Sequence, residues 1–156
     1  MKKACFFFII CLLFGASSFA QQGKYGTYYD QRATLFESLP VTSSDIIFLG
    51  NSLTDGCEWA ELFGNPRIKN RGISGDVVMG IFDRIDPVLK GKPAKIFVLT
   101  GINDVSHDLT ADSVLVLYRT LVNKIKVDSP KTKLYIQSLL PVNDEFTRFP
   151  KVHNKT

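Results

Sequence analysis

Short apolar segments alternate along this sequence with longer segments whose apolar residues recur at helical spacing, and this alternation constrains the fold most. The apolar segments have the length of β-strands, and their lack of a polar face indicates strands that are buried on both sides. The predicted strands are residues 45–49, 66–70, 94–100 and 133–140. The predicted helices are residues 28–38, 57–64 and 76–90, the last with Asp76 as its N-cap. A fourth predicted helix has Thr110 or Asp112 as its N-cap and runs to about Val127. Strands that alternate with helices predict a parallel sheet with helices on both faces, which is a three-layer α/β/α fold.

The first 20 residues have the order of features that marks an export signal. Lys2 and Lys3 precede an apolar run over residues 4–14, and small residues follow it up to Ala20. The run is shorter than the roughly 20 residues that a membrane-spanning helix needs, so stable membrane insertion is not expected. We therefore predict a signal peptide over residues 1–20, cleaved after Ala20, and a bacterial protein that is periplasmic or secreted. The alternative, a buried N-terminal helix, leaves the charges and the small residues unexplained.

Charge and cysteine content exclude several classes of function. The formal net charge is +4 and falls to +2 when Lys2 and Lys3 leave with the signal, which is too little for a nucleic-acid-binding surface. Cys57 is then the single cysteine, so we predict neither an internal disulfide nor a cysteine-based metal site. The glycine patterns of Walker and dinucleotide sites are absent, and no cofactor is predicted. The length of the remainder predicts one domain over residues 21–156.

Small and polar residues follow three of the predicted strands. They are Gly50-Asn51-Ser52, Asn70-Arg71-Gly72 and Gly101-Ile102-Asn103-Asp104. In open α/β sheets, ligands bind beyond the carboxyl ends of the strands, where glycines allow sharp turns and a close approach to the backbone. A serine at the start of a helix has its hydroxyl near the positive end of the helix dipole, which favours a developing negative charge. The pattern therefore predicts a site that is built from three strand ends.

These three segments resemble the sequence blocks of the SGNH (GDSL-like) hydrolase family. Residues 50–54 are similar to the block usually written Gly-Asp-Ser-Leu, with Asn51 in place of the aspartate. Residues 70–75 resemble the second block, which supplies a glycine, and residues 101–104 resemble the third block, Gly-x-Asn-Asp. The resemblance extends over about residues 28–150. It implies a flavodoxin-like parallel sheet with strand order 2-1-3-4-5 and the hydrolysis of carboxylic esters.

The resemblance also implies catalytic roles for three residues. Ser52 would be the nucleophile, and the backbone N–H groups of Ser52 and Gly72 and the side-chain amide of Asn103 would bind the oxyanion. The nearby carboxylates are expected to hold structure rather than to react: Asp55, Asp76 and Asp104. Trp59 and Phe63 either line an acyl or sugar pocket or are simple core residues. The expected substrates are O-acetyl groups of carbohydrates, with lysophospholipids and other short-chain esters as alternatives.

The general base of the family is a histidine in an Asp-x-x-His block that follows a fifth strand. This sequence ends at Thr156, so we expect a truncated domain that lacks this block and is inactive or strongly impaired. The sequence has two histidines. His107 follows Asp104 at the right spacing, but it comes after the third strand and is more simply a loop residue. His153 has no aspartate three residues before it.

Two other expectations follow from the sequence. Without a fifth strand, the predicted strand at 133–140 would be an apolar sheet edge, so we expect poor solubility or partial folding. A non-catalytic binding module on the same fold is an alternative function, although such a module has no need of serine, glycine and asparagine at three converging strand ends. A receiver domain would need an acidic cluster where Asn51 and Ser52 stand. Neither the oligomeric state nor the natural ester is specified by the sequence.

Overall fold

The computed structural model describes residues 23–142. The predicted signal peptide and His153 lie outside the described residues. The described helices are α1 (Thr27–Ser38), α2 (Ser52–Asp55), α3 (Trp59–Leu62), α4 (Val78–Arg84), α5 (Asp86–Lys90), α6 (Ile102–Ser106) and α7 (Ala111–Asp128). The described strands are β1 (Ile46–Gly50), β2 (Ile68–Gly72), β3 (Lys95–Leu99) and β4 (Lys133–Ile136).

The four strands form one parallel sheet in the order β2-β1-β3-β4. This topology confirms the predicted α/β fold class and the family's order for its first four strands. The register pairs Gly50 of β1 with Gly72 of β2 on one side and with Leu99 of β3 on the other. The carboxyl ends of these three strands therefore stand at one level along the same edge of the sheet, where the candidate residues follow them.

The two faces of the sheet differ in burial. Residues of β1 and β3 such as Ile47 and Val98 are buried with side chains from α4 and α7 such as Ile81 and Leu121. The opposite face carries Phe48 and other rings that are only half buried within the described part of the chain. The prediction of strands buried on both sides is therefore correct for one face only, and the alternating burial pattern shows this directly.

A row of aromatic rings crosses the half-buried face of the sheet. Phe48 stacks on Phe97 at a centroid distance of 5.0 Å and on Trp59 at 4.7 Å. Phe97 in turn stacks on Tyr135 at 4.6 Å. Trp59 therefore packs against the sheet, whereas Phe63 keeps 58% of its surface exposed. Of the two sequence alternatives for Trp59, its stacking fits the core residue.

Several boundaries differ from the sequence predictions for identifiable reasons. The predicted helix 76–90 is divided into α4 and α5, because Pro87 has no N–H to continue the first helix and instead stands in the first turn of the second. The N-cap of α4 is Val77 rather than Asp76, whose carboxylate is bound to Arg84. The predicted N-cap of α7 is confirmed, since the Thr110 hydroxyl accepts the Ser113 N–H at 3.2 Å.

The last described strand lies at the edge of the sheet. Strand β4 pairs with β3 only, within residues 23–142, and it ends at Ile136 rather than at 140. Tyr135 and Ile136 are 42% and 54% exposed. The expectation of poor solubility stays a prediction. Within the same residues, the structure contains no helix that could cross a membrane.

Candidate active site

Ser52 is the first residue of α2, directly after the end of β1. Its side chain is exposed, whereas the preceding Asn51 is fully buried. The Asn51 side-chain oxygen accepts the Leu53 N–H at 3.1 Å and so caps α2. This cap fixes the backbone on both sides of Ser52 and leaves its hydroxyl accessible to a ligand.

The N–H of Gly72, which the family resemblance assigns to oxyanion binding, is bonded within the protein. Gly72 is the last residue of β2, and its N–H donates to the side-chain oxygen of Asn70 at 2.8 Å. A Cβ atom at Gly72 would overlap the backbone of Asp55, so a glycine is needed here for close packing of α2 on β2. The predicted strand ended at Asn70, and this two-residue error hid the fact that Gly72 belongs to the strand.

Gly75 is the glycine of the second block with a free N–H. Its φ of +83° lies in the left-handed region, and a Cβ built at this position would have no atom within 4 Å. The residue is exposed, and its N–H makes no hydrogen bond within the described residues. Gly75 is therefore better suited than Gly72 to donate a hydrogen bond to a bound oxygen. The sequence interpretation selected Gly72 from this block.

Asn103 lies in the first turn of α6 and is joined to the loop that carries Gly75. Its side-chain nitrogen donates one hydrogen to the backbone oxygen of Asp76 at 2.8 Å. The primary amide has a second N–H that this bond does not use. The contact places the third sequence block beside the second, as the sequence predicted for three converging strand ends.

Asp55, at the end of α2, joins the helix that begins with Ser52 to the loop that carries Gly75. One of its oxygens accepts the N–H of Ser74 at 3.0 Å and the hydroxyl of Ser74 at 2.7 Å. The same oxygen accepts the hydroxyl of Tyr28 at 2.9 Å. These contacts agree with the prediction that Asp55 holds a turn, and they fix the residue next to Gly75.

Asp76 and Arg84 form a buried ion pair beneath the loop. The Arg84 Nη2 and Nε atoms lie 2.7 and 2.8 Å from one Asp76 oxygen, and both side chains are almost completely buried. Arg84 also donates to the backbone oxygens of Gly50 at 3.1 Å and Arg71 at 3.0 Å, at the ends of β1 and β2. Burial raises the pKa of Asp76 to about 6, although Arg84 acts in the opposite direction.

Asp104 and His107 do not form a catalytic pair in this structure. The Asp104 carboxylate accepts the Val78 N–H at 3.1 and 3.3 Å, and burial raises its pKa. No hydrogen bond joins the two side chains within the described residues, and His107 is exposed at the end of α6. Asp104 therefore holds α6 against the start of α4, as predicted for a structural carboxylate.

The described residues contain no cluster of three or more side chains that could hold a metal ion. Cys57 is a free, half-buried thiol. The site therefore consists of an exposed hydroxyl, a free backbone N–H and a side-chain amide, next to buried groups that hold them in place. This arrangement is suited to acyl transfer, in which a nucleophile attacks a carbonyl group and N–H donors stabilise the resulting oxyanion.

Comparison with known proteins identifies the class. Residues 48–156 match the GDSL-like Lipase/Acylhydrolase family, so the protein belongs to this family and the predicted resemblance is confirmed. A curated relative, human platelet-activating factor acetylhydrolase IB subunit alpha2, is 30% identical over 103 residues, which cover 62% of this chain and 44% of the relative. This chain thus spans less than half the length of that relative.

Solved structures agree with this assignment. A Streptococcus pneumonia protein whose name refers to platelet activating factor is 28% identical, with a TM-score of 0.71 over 83% of this chain and 63% of that one. A GDSL-like lipase from Bacteroides thetaiotaomicron is 25% identical, with a TM-score of 0.65 over 81% of this chain and 65% of that one. This chain is therefore similar to both structures over most of its own length.

Proposed function

We propose that this protein hydrolyses carboxylic esters through an acyl-enzyme on Ser52. One observation carries the proposal: the loop of residues 73–77 (the Gly75 loop) donates hydrogen bonds to Asp55 and accepts one from Asn103, which attaches it to both of the other blocks. A nucleophile, a free N–H and a side-chain amide thereby share one edge of the sheet. Membership of the GDSL-like family supports ester hydrolysis as the reaction.

In the proposed reaction, the Ser52 oxygen attacks the carbonyl carbon and the carbonyl oxygen becomes negatively charged. The N–H groups of Ser52 and Gly75 and the free N–H of the Asn103 amide stabilise this charge. Removing one such donor typically lowers kcat by about 100-fold to 1000-fold. The alcohol then leaves with a proton, and water releases the acid from Ser52. Gly75 replaces Gly72 in this account, because the Gly72 N–H is already bonded to Asn70.

The serine needs a base to accept its proton. The family resemblance assigns that role to a histidine of an Asp-x-x-His block, and His107 is the histidine among the described residues. Because His107 lacks a hydrogen bond to Asp104, we propose that it is not this base. With p-nitrophenyl acetate as the substrate, whose alcohol part is not a sugar, free imidazole should then stimulate acyl transfer to Ser52, and His107→Ala should leave the rate without imidazole unchanged. A large loss of activity in His107→Ala would show that His107 is the base.

A short acyl group, above all acetyl, is the proposed acid part of the substrate. The curated relative is an acetylhydrolase by name, which supports a small acyl group. O-acetylated carbohydrates are the proposed natural substrates, and lysophospholipids are the alternative. An exported enzyme, with a signal peptide cleaved after Ala20, would meet carbohydrate esters in the bacterial envelope or outside the cell.

Hydrolysis of p-nitrophenyl acetate, butyrate and octanoate tests the proposal. We expect the acetate to react fastest and Ser52→Ala to remove the protein-dependent rate. Ser43→Ala is the matched control, because Ser43 is an exposed serine on a loop before β1. With imidazole present and a protein-dependent rate above background, equal rates for Ser52→Ala and the unmodified chain would exclude the serine mechanism. A folded chain that binds esters without any Ser52-dependent turnover would support the binding-module alternative.

A further inference from the structure

A cavity of about 620 Å³ lies between the chain before α1 and the Gly75 loop. Its lining includes Tyr25, Tyr29, Ser74, Gly75 and His107. The volume is within the range of small-molecule sites. Because Ser74 and Gly75 belong both to this lining and to the proposed active site, a ligand in the cavity would lie directly beside the reacting ester.

The two tyrosines offer the cavity chiefly apolar surface. Tyr25 donates its hydroxyl to Asp83 at 2.7 Å, and Tyr29 donates its hydroxyl to the backbone oxygen of Gly80 at 2.7 Å. The two rings lie 4.6 Å apart, tilted by 49°. Since both hydroxyl hydrogens are already used within the protein, ring carbons are the main surface that the tyrosines present to a ligand.

The charges at the cavity favour a neutral ligand. The Lys24 ammonium pairs with Asp83 at 3.1 Å, and buried Asp76 pairs with Arg84 at 2.7 Å. With both pairs intact, the lining has no unpaired positive charge among the described residues to attract a phosphate or carboxylate. A cationic ligand would be repelled, because the Lys24 ammonium already lies 4.7 Å from the centre of the Tyr25 ring.

The remaining polar groups can bind hydroxyl groups. The Ser74 oxygen can accept a hydrogen bond, and the His107 imidazole can accept or donate one. Such neutral donors and acceptors next to aromatic carbon fit a sugar ring, which has hydroxyls at its edge and C–H groups on its faces. We propose that this cavity binds a neutral sugar unit, which in the ester substrate is the alcohol part.

The identification of the sugar as the alcohol part rests on the proposed function, whereas sugar binding itself does not. Binding is measured on the full chain by saturation-transfer difference NMR with methyl β-xyloside, methyl β-glucoside and methyl β-galactoside. At least one glycoside should bind, with equal affinity for the unmodified chain and for Ser52→Ala. Inorganic phosphate and choline, present in excess, should not displace it.

Variants locate the bound sugar. Tyr25→Leu should weaken binding about 10-fold, and His107→Ala should weaken it by about 3-fold to 10-fold, through lost ring and hydrogen-bond contacts. Tyr135→Leu is the matched control, because this half-exposed tyrosine lies on the edge strand outside the cavity, and it should leave the affinity unchanged. His107 is exposed, so its replacement should not impair folding.

The outcomes separate the two proposals. If no glycoside binds, if Tyr25→Leu and His107→Ala bind as well as the control, or if phosphate or choline competes, the sugar site is wrong. Acyl transfer to Ser52 without sugar binding would leave the esterase proposal intact. Sugar binding without any reactivity of Ser52 would leave the cavity as a sugar site and remove its assignment to an ester substrate.

Discussion

Replacing Arg84 by methionine tests the physical role of the buried ion pair beneath the site. The change keeps a long apolar stem and removes four polar contacts: the Nε and Nη2 contacts with Asp76 and the hydrogen bonds to the backbone oxygens of Gly50 and Arg71. The Gly50 oxygen keeps a partner, since it also accepts the N–H of Ile73 at 3.0 Å. The main cost is therefore a buried Asp76 carboxylate without its cation.

Breaking a buried pair by removing one partner typically costs about 3–5 kcal/mol. We expect a cost in this range for Arg84→Met at pH 7, which corresponds to a fall in melting temperature of roughly 10–20 °C for a domain of this size. The cost should be smaller at pH 5. Arg84 lowers the pKa of Asp76, so without it that pKa rises further above 6, and a protonated carboxyl needs no cation.

Urea unfolding followed by circular dichroism at pH 7 and pH 5 measures these free energies. Arg67→Met is the matched control, because Arg67 is exposed and its side chain makes no hydrogen bond within the described residues; it should change stability by less than about 0.5 kcal/mol. Arg84→Lys keeps the charge without the paired contacts and should fall between the two. A cost for Arg84→Met that is no larger than that of Arg67→Met would refute the reasoning.

Three further predictions concern neighbouring groups. Folding raises the pKa of Asp76, so the unmodified chain should lose stability relative to Asp76→Asn as pH rises from about 4 to about 6. The loss should reach up to about 3 kcal/mol, and urea titrations should show no further change above this pH window. Asn51→Ala should cost about 1 kcal/mol in thermal unfolding through loss of the α2 cap, and an unchanged melting temperature would contradict this. Gly72→Ala should cost up to about 3 kcal/mol of folding stability, because the added methyl group would overlap the backbone of Asp55. Gly75→Ala should cost about 1 kcal/mol, because its methyl group would lie in open space and only the positive φ is unfavourable. The reverse order of the two costs in urea unfolding would contradict the packing argument.

The sequence predicted the sheet and the edge that carries the candidate site, because both depend on local patterns. Apolar segments followed by glycine and polar residues placed Ser52 and Asn103 at neighbouring strand ends, and the parallel register bears this out. The division of the helix at Pro87 was also accessible from the sequence, since proline interrupts helical hydrogen bonding. The apolar pattern continues after Pro87, and this continuation led to the prediction of one unbroken helix over residues 76–90.

The contacts that hold the site could not be read from the sequence. Asp55 and Ser74 are 19 residues apart, and Asn103 and Asp76 are 27 residues apart. Such pairs depend on the path of the chain in three dimensions rather than on local spacing. Gly72 belongs to β2 and its N–H is bonded to Asn70, and neither fact could be read from the resemblance that selected this glycine.

The central claim is that Ser52 forms a covalent acyl intermediate. Peptide mapping by mass spectrometry, after acid quench of a brief reaction with p-nitrophenyl acetate and imidazole, tests it most directly. We expect one acetyl group on the peptide that contains Ser52, and none on this peptide in Ser52→Ala. Acetylation confined to lysines or to other serines, with Ser52 unmodified while p-nitrophenol is released, would contradict the account.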